Sequence, residues 1–199
     1  MFIVFEGIDG CGKTTQIKLL EKYLRQQEIL CSTIREPGST DLANRLRQML
    51  MFGGLDKRSE LALFFAARAD NVTKNILVRK NSEHVICDRY IDSTIAYQCY
   101  GNESISLDTL KPMLRFFSYG VVADITFVLD VDYDESRKRI LDRSNNHYDD
   151  VDKNYFLKVQ SYYRTLKQAP YYYIDTTYLD TDQVHQVIIK ILEKTCQTY

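Results

Sequence analysis

Eight residues near the amino terminus, Gly7-Ile8-Asp9-Gly10-Cys11-Gly12-Lys13-Thr14, follow the spacing G-x-x-x-x-G-K-[ST]. Glycines at these positions let backbone N–H groups turn inward around a phosphate, and the helix that must follow adds its positive end. Lys13 brings a full charge, and the Thr14 hydroxyl is a ligand of the kind Mg²⁺ takes. Chance produces this pattern on the order of once in a hundred chains of such length. A nucleoside triphosphate site is therefore expected along Gly7, Ile8, Asp9, Gly10, Cys11, Gly12, Lys13, Thr14 and Thr15. No guanine-reading N-K-x-D tetrapeptide is present. A small enzyme that passes a phosphoryl group to a second small molecule fits the length best.

Three further groups of residues could serve such an acceptor. Phe64 and Arg68 stand four apart and share a helix face. An aromatic ring can stack on a base while a guanidinium donates to its edge. The residues alone fit equally well a core phenylalanine beside a solvated arginine. Ser93/Tyr97 and Thr94/Gln98 are two i, i+4 pairs that follow Asp88-Arg89. Arg137, Arg139 and Arg143 lead into the polar stretch 144–152; a basic helix end complementing its dipole is the alternative reading there.

These groups must be placed by an alternation of strands and helices. Apolar runs at Phe2–Phe5, Leu30–Ile34, His84–Cys87, Ile125–Leu129 and Tyr171–Ile174 read as five strands. Between them, helical spacing appears at Ile17/Leu20/Leu24, at Leu42/Leu46/Met49/Leu50 and at Leu61/Phe65/Val72/Ile76. It recurs over 134–143, in a helix running to about Gln168, and at Val184/Val187/Ile188/Ile191/Leu192. The expected architecture is α/β, a five-stranded parallel sheet with helices on both faces, as in P-loop NTPases. Ligands of such sheets bind at the carboxyl ends of the strands, where the reactive residues fall.

Four blocks in order resemble the thymidylate kinase family: Phe5-Glu6-Gly7 through Gln16, Arg35-Glu36-Pro37-Gly38, Phe64-Phe65-Ala66-Ala67-Arg68, and Asp88-Arg89-Tyr90 through Gln98. The second half of the chain matches in layout more than in wording. The resemblance implies phosphorylation of dTMP to dTDP with ATP and Mg²⁺. It implies that Phe64 stacks the base, that Arg68 reaches its O4, and that Thr94 and Gln98 lie near it. Tyr97 would crowd a ribose 2′-hydroxyl, with Ser93 on the same wall. Asp9 would accept the 3′-hydroxyl and help place the metal with Thr14 and Asp88. Arg47 and Arg89 would hold the monophosphate, and Glu36-Pro37 would form a wall, a cis peptide being one option there.

Bringing two anions together at about 4 Å costs roughly 4 kcal/mol per pair of charges at an effective dielectric of about 20. Lys13 alone cannot offset that, so Mg²⁺ and more than one arginine are required. Gly10 stands where one branch of the family has a basic residue. The bacterial-type branch has its arginine in a lid, here about 143–152, so Lys13, Arg89, Arg143, Arg139 and Asp9 are the expected catalytic set. His147 departs from the lid pattern, replacing an arginine with a side chain mostly neutral near pH 7.

The chain has 199 residues with 26 basic and 27 acidic side chains, one domain's worth of sequence without the basic excess of a nucleic-acid or lipid binder. Five cysteines without a C-x-x-C pair suit free thiols in a reducing compartment. The expectation is a cytoplasmic, non-membrane protein, homodimeric as the resemblance implies. The rival readings are a deoxynucleoside kinase, whose acceptor would leave Arg89 no phosphate to hold, and a regulatory nucleotide-binding module.

Overall fold

The computed structural model describes residues 1–141 and 152–196. Its strands are β1 (Phe2–Gly7), β2 (Cys31–Arg35), β3 (His84–Asp88), β4 (Ile125–Asp130) and β5 (Tyr171–Asp175). All pair in parallel, in the order β2-β3-β1-β4-β5. This is the expected five-stranded sheet. Strand β1 is central because the chain first builds outward to β2 and β3, then crosses to β4 and β5. The crossover leaves a crevice at the carboxyl end of β1, beside Gly7.

Alternation along β1 divides two cores. Phe2 and Val4 join Val85, Cys87, Val72 and Ile76 on one face. Ile3 and Phe5 join Ile86, Phe127 and the apolar stripes of α1 (Lys13–Gln26) and α9 (Thr181–Cys196) on the other. Both faces of β1 and β4 are buried, which is why their sequences read as continuous apolar runs.

Helix α2 (Asp41–Phe52) starts where the Thr40 side chain accepts the Ala43 N–H, and α3 (Lys57–Asn71) where Asp56 accepts from Arg58 and Ser59. The single long helix expected through Ile76 is in fact α3, a π-helical segment Val72–Ile76 and the short turn α4 (Leu77–Arg79). A second π-helical segment, Ile95–Gly101, continues α5 (Ile91–Thr94). It packs on α8 (Lys153–Tyr163), and Gly101 makes that possible. A Cβ there would lie 2.8 Å from both Tyr155 Cε2 and Val159 Cγ2.

Helix α6 (Leu107–Phe117) was not among the expected elements. Pro112 lies inside it, but buried Leu110 and Leu114 and the stacking of Phe117 on Phe65, 4.7 Å between centroids, outweigh the lost donor. Helix α8 ends at Tyr163, short of Gln168, where the Leu166 N–H bonds the Tyr163 carbonyl in a turn. The described part of α7 is Tyr133–Leu141. Arg143 and His147 lie outside the described residues.

Candidate active site

The loop between β1 and α1 takes the shape that its glycines allow. Gly10 and Gly12 have φ of +80° and +101°, and Gly12 caps α1. Lys13 folds back into the loop, its Nζ 2.9 Å from the Gly7 carbonyl and 2.8 Å from that of Ile8. At Gly10 a Cβ would meet the Ser136 carbonyl and Oγ at 2.8 Å, while Ser136 Oγ donates to the Asp9 carbonyl. Helix α7 thus occupies the space that a basic side chain at position 10 would need.

Thr14 Oγ1 lies 3.4 Å from Asp88 Oδ2, joining the first turn of α1 to the end of β3. Asp88 Oδ1 is buried and has no hydrogen-bond partner among the described residues. Asp9 is paired with Arg89, Nη2 to Oδ1 at 2.5 Å. That guanidinium holds the Asp9 carboxyl below its usual range, with Lys13 and Arg47 acting in the same sense. Among the described residues no cluster of three or more His, Cys, Asp and Glu side chains could hold a metal. Mg²⁺ needs none, since it is usually bound through one or two carboxylates, waters and the substrate phosphates.

Beside the loop lies a cleft of about 310 Å³. All the expected acceptor residues line it: Asp9, Glu36, Pro37, Arg47, Phe64, Arg68, Arg89, Ser93, Thr94, Tyr97 and Gln98. Met51, Glu60, Tyr90, Asn102 and Tyr155 line it too and were not anticipated. Glu60 stands one helical repeat before Phe64, and Asn102 one after Gln98, so the spacing held a signal for both. Tyr155 arrives from α8, and nothing local to its sequence announces it.

One end of the cleft is fully built. Arg68 is buried, not a solvated helix arginine. Its Nε donates to Glu36 at 2.8 Å, and its Nη2 donates to the Tyr90 carbonyl and Thr94 Oγ1, both at 2.9 Å. Its Nη1 is buried without a partner among the described residues. Glu36 also accepts from Asn71 Nδ2 at 3.1 Å. Burial pushes the Glu36 carboxyl up, against the pull of Arg68. The Glu36–Pro37 bond is cis, and Phe64 is only partly buried, at the cleft wall.

The other end gathers cations. Arg89 adopts φ +69° and donates from Nη1 to the Gly7 carbonyl at 3.0 Å and to Ser93 Oγ at 3.1 Å. Its guanidinium lies 5.2 Å from the Tyr97 ring centroid. Arg47 donates to the Pro37 carbonyl at 3.1 Å. Partial burial lowers its pKa, and neighbouring Arg35 and Arg89 lower it further. Three like charges held that close make a strong attractor for an anion. Arg35, at the end of β2, was not among the expected site residues.

Two of the expected residues have further partners in the fold. Ser93 reaches the cleft, but its hydroxyl donates to Glu6 at 2.6 Å and lies 3.0 Å from the Tyr163 hydroxyl. Buried Glu6 also accepts the Tyr90 and Ser93 N–H groups and the Tyr163 hydroxyl, so Ser93 belongs to the turn holding Arg89. Arg139 is a strut and not a free cation. It donates to Glu135, to Thr176 Oγ1 and to the Thr176 and Thr177 carbonyls. Thr176 Oγ1 in turn lies 2.9 Å from the Asp130 carbonyl and 3.2 Å from the Cys11 carbonyl, so the segment after β5 sits against the phosphate loop.

A parallel sheet with a glycine-rich phosphate loop at its switch point, and a second anion-seeking cleft beside it, defines the P-loop phosphotransferase class. The comparisons with known proteins narrow this further. The family model described as thymidylate kinase matches residues 5–188. A thymidylate kinase of Wolbachia pipientis (subsp. Culex pipiens) is 37% identical over 98% of this chain and 96% of its own. One from Ehrlichia chaffeensis is 40% identical over 97% and 99%. The crystal structure of thymidylate kinase from Ehrlichia chaffeensis superposes with a TM-score of 0.78 at 36% identity, covering 97% of this chain and 98% of that one. The chain belongs to the thymidylate kinase family.

Proposed function

We propose that the chain transfers the γ-phosphoryl group of ATP to dTMP, giving dTDP and ADP on the route to dTTP. The observation that carries this reading is the unpartnered Nη1 of buried Arg68 beside Phe64. Arg47 and Arg89 stand at the far end of the same cleft. Phe64 stacks the base. Arg68 donates to thymine O4, where cytosine presents a donor of its own. Thr94 Oγ1 already accepts from Arg68, which leaves its proton for the base. Tyr97 flanks the sugar, Asp9 accepts the 3′-hydroxyl, and Arg47 and Arg89 hold the monophosphate.

On the donor side the loop from Gly7 to Thr15 cradles ATP, with Lys13 turning from the loop carbonyls to the phosphates. Thr14, Asp88 and Asp9 are the residues that would hold Mg²⁺, supported by the buried, unpartnered oxygen of Asp88 and by the preference of Mg²⁺ for hard oxygen ligands. When bound, Mg²⁺ neutralises charge on the β- and γ-phosphates. In-line transfer then needs positioning and further positive charge rather than a covalent intermediate. With position 10 closed by α7 and Arg139 engaged elsewhere, the remaining charge falls to Arg143. Arg143→Ala should lower kcat far more than it raises KM for dTMP, and an unchanged kcat in steady-state assays would reject the assignment. The same reading takes residues 1–199 as one domain with a lid at about 143–152, acting as a cytoplasmic homodimer. No helix among the described residues is long and apolar enough to cross a membrane.

The test is a coupled ADP-release assay with ATP and Mg²⁺, comparing dTMP, dCMP, dUMP, AMP and thymidine. Turnover with dTMP well above dCMP and AMP, and none with thymidine, is expected. dUMP lacks only the methyl group, worth roughly 1–3 kcal/mol, so it should react more weakly and not be excluded. Turnover with thymidine would make the chain a nucleoside kinase and leave Arg89 without its role. Silence with every acceptor would point to a regulatory module.

A further inference from the structure

Two rows of side chains face each other across the base end of the cleft. Glu60, Phe64 and Arg68 recur every four residues on α3. Thr94, Gln98 and Asn102 recur every four along α5, the π-helical segment and the residue that caps it. The rows are bonded twice. Arg68 donates to Thr94, and Gln98 Nε2 donates to Glu60 Oε1, each at 2.9 Å.

A glutamine amide donates at one end and accepts at the other, and a half-turn exchanges the two with almost no change in shape. Thymine offers the O4 acceptor beside an N3–H donor, whereas cytosine offers the N4 donor beside an N3 acceptor. An amide free to turn can therefore serve either pyrimidine. What fixes the Gln98 amide is its surroundings. Ser104 Oγ lies 3.2 Å and Asn102 Nδ2 lies 3.5 Å from Gln98 Oε1. A hydroxyl can accept as well as donate, and an asparagine amide can turn as readily as a glutamine, so neither forbids the half-turn. An ionised carboxylate only accepts. Among the described residues bonded to this amide, Glu60 is the one that does forbid it.

We propose that Glu60 is a specificity-determining positioning residue. It holds the Gln98 amide in one orientation, so that one pyrimidine edge is matched and the other meets like against like. Discrimination of this kind comes from leaving the wrong partner's polar group unpaired, not from improving the right one. The proposal rests on reading the cleft as the dTMP site.

Glu60→Gln retains the size of the side chain and replaces an acceptor-only group with one that can face Gln98 either way. The measurements are kcat/KM for dTMP and dCMP, and the dissociation constants of both monophosphates by calorimetry without ATP. The dTMP-to-dCMP ratio should fall by about tenfold or more in both, through KM and Kd more than through kcat. In a Gln98→Ala background the same substitution should shift the ratio no further, because Glu60 acts through that amide. Glu60→Ala, measured likewise, is a second removal of the acceptor should Glu60→Gln fail to fold. A ratio that stays within about twofold, or falls as far in the Gln98→Ala background, overturns the proposal. A wild-type protein that does not select dTMP at all would instead remove the reading of the cleft beneath it.

Discussion

The two ends of the cleft are built on opposite plans. At the base end, Arg68 is buried, and Glu36, Tyr90, Thr94 and Asn71 fix it and its partner. At the phosphate end and in the loop beside it, Arg47, Arg89 and Lys13 donate largely to backbone carbonyls, and Arg89 also to Ser93 Oγ and the exposed carboxylate of Asp9. A base is rigid and neutral, and a preassembled wall reads it with little loss on binding. Phosphates carry charge that shifts during transfer. Cations resting on carbonyls can be drawn to them without breaking a buried network. The contrast predicts that damage at one end appears in stability and KM, and at the other in kcat.

The largest expected effect tests the phosphate end. Lys13→Ala should lower kcat by about 10³-fold, the scale for removing a preorganised charge from a transition state. Its urea midpoint should move far less than that of a base-end variant. A large loss of stability in Lys13→Ala would break the contrast. At the base end, Arg68→Ala leaves Glu36 buried with only Asn71 beside it, which should cost about 3–5 kcal/mol. Arg89→Ala removes a partner from an exposed carboxylate, where such pairs are worth about 0–1 kcal/mol. Urea unfolding of both variants, with KM for dTMP, checks the pair. Equal destabilisation would show that Arg89 is as structural as Arg68.

How far the sequence shows this division depends on how local each contact is. The phosphate loop, the strand ends and the i, i+4 rows of α3 and α5 follow from spacing, whereas Glu36, Pro37, Arg47 and Arg89 as parts of the cleft are what the family resemblance implies. The parallel sheet follows from the alternation of elements, its strand order does not, and α6 is hidden because Pro112 obscures a stripe that only tertiary packing rescues. Tyr155 depends on Gly101 admitting α8, and no window around residue 155 contains that fact. Ser93 has the right spacing for the cleft, but Glu6, from the neighbouring β1, claims its hydroxyl. For Arg139 the helix is legible and the partner is not, because Thr176 follows a strand far along the chain. Position along a face is readable from sequence; what is already bonded there is not.

A further test concerns what the base end rests on. Within α5, Asp92 is buried, with Tyr162 donating to Oδ1 at 2.6 Å and Tyr171 at 3.4 Å. Burial, and then the nearby Glu6 carboxylate, raise its pKa to about 7, while the two tyrosine hydroxyls and the more distant Arg68 pull it down. In the unfolded chain an aspartate titrates near 3.9. Between about pH 4 and pH 7 the folded state keeps a proton that the unfolded state has lost, so unfolding free energy must fall as pH rises. The slope from this one group is at most about 1.4 kcal/mol per pH unit, flat below and above that window. Asp92→Asn removes the titration and should remove that slope. Urea unfolding of both proteins at pH 5, 6 and 7, read as their difference, cancels the other titrating groups. Parallel curves would mean that Asp92 is ionised in the fold. The base end would then rest on a buried charge, and its rigidity would need a cation that Tyr162 and Tyr171 cannot supply.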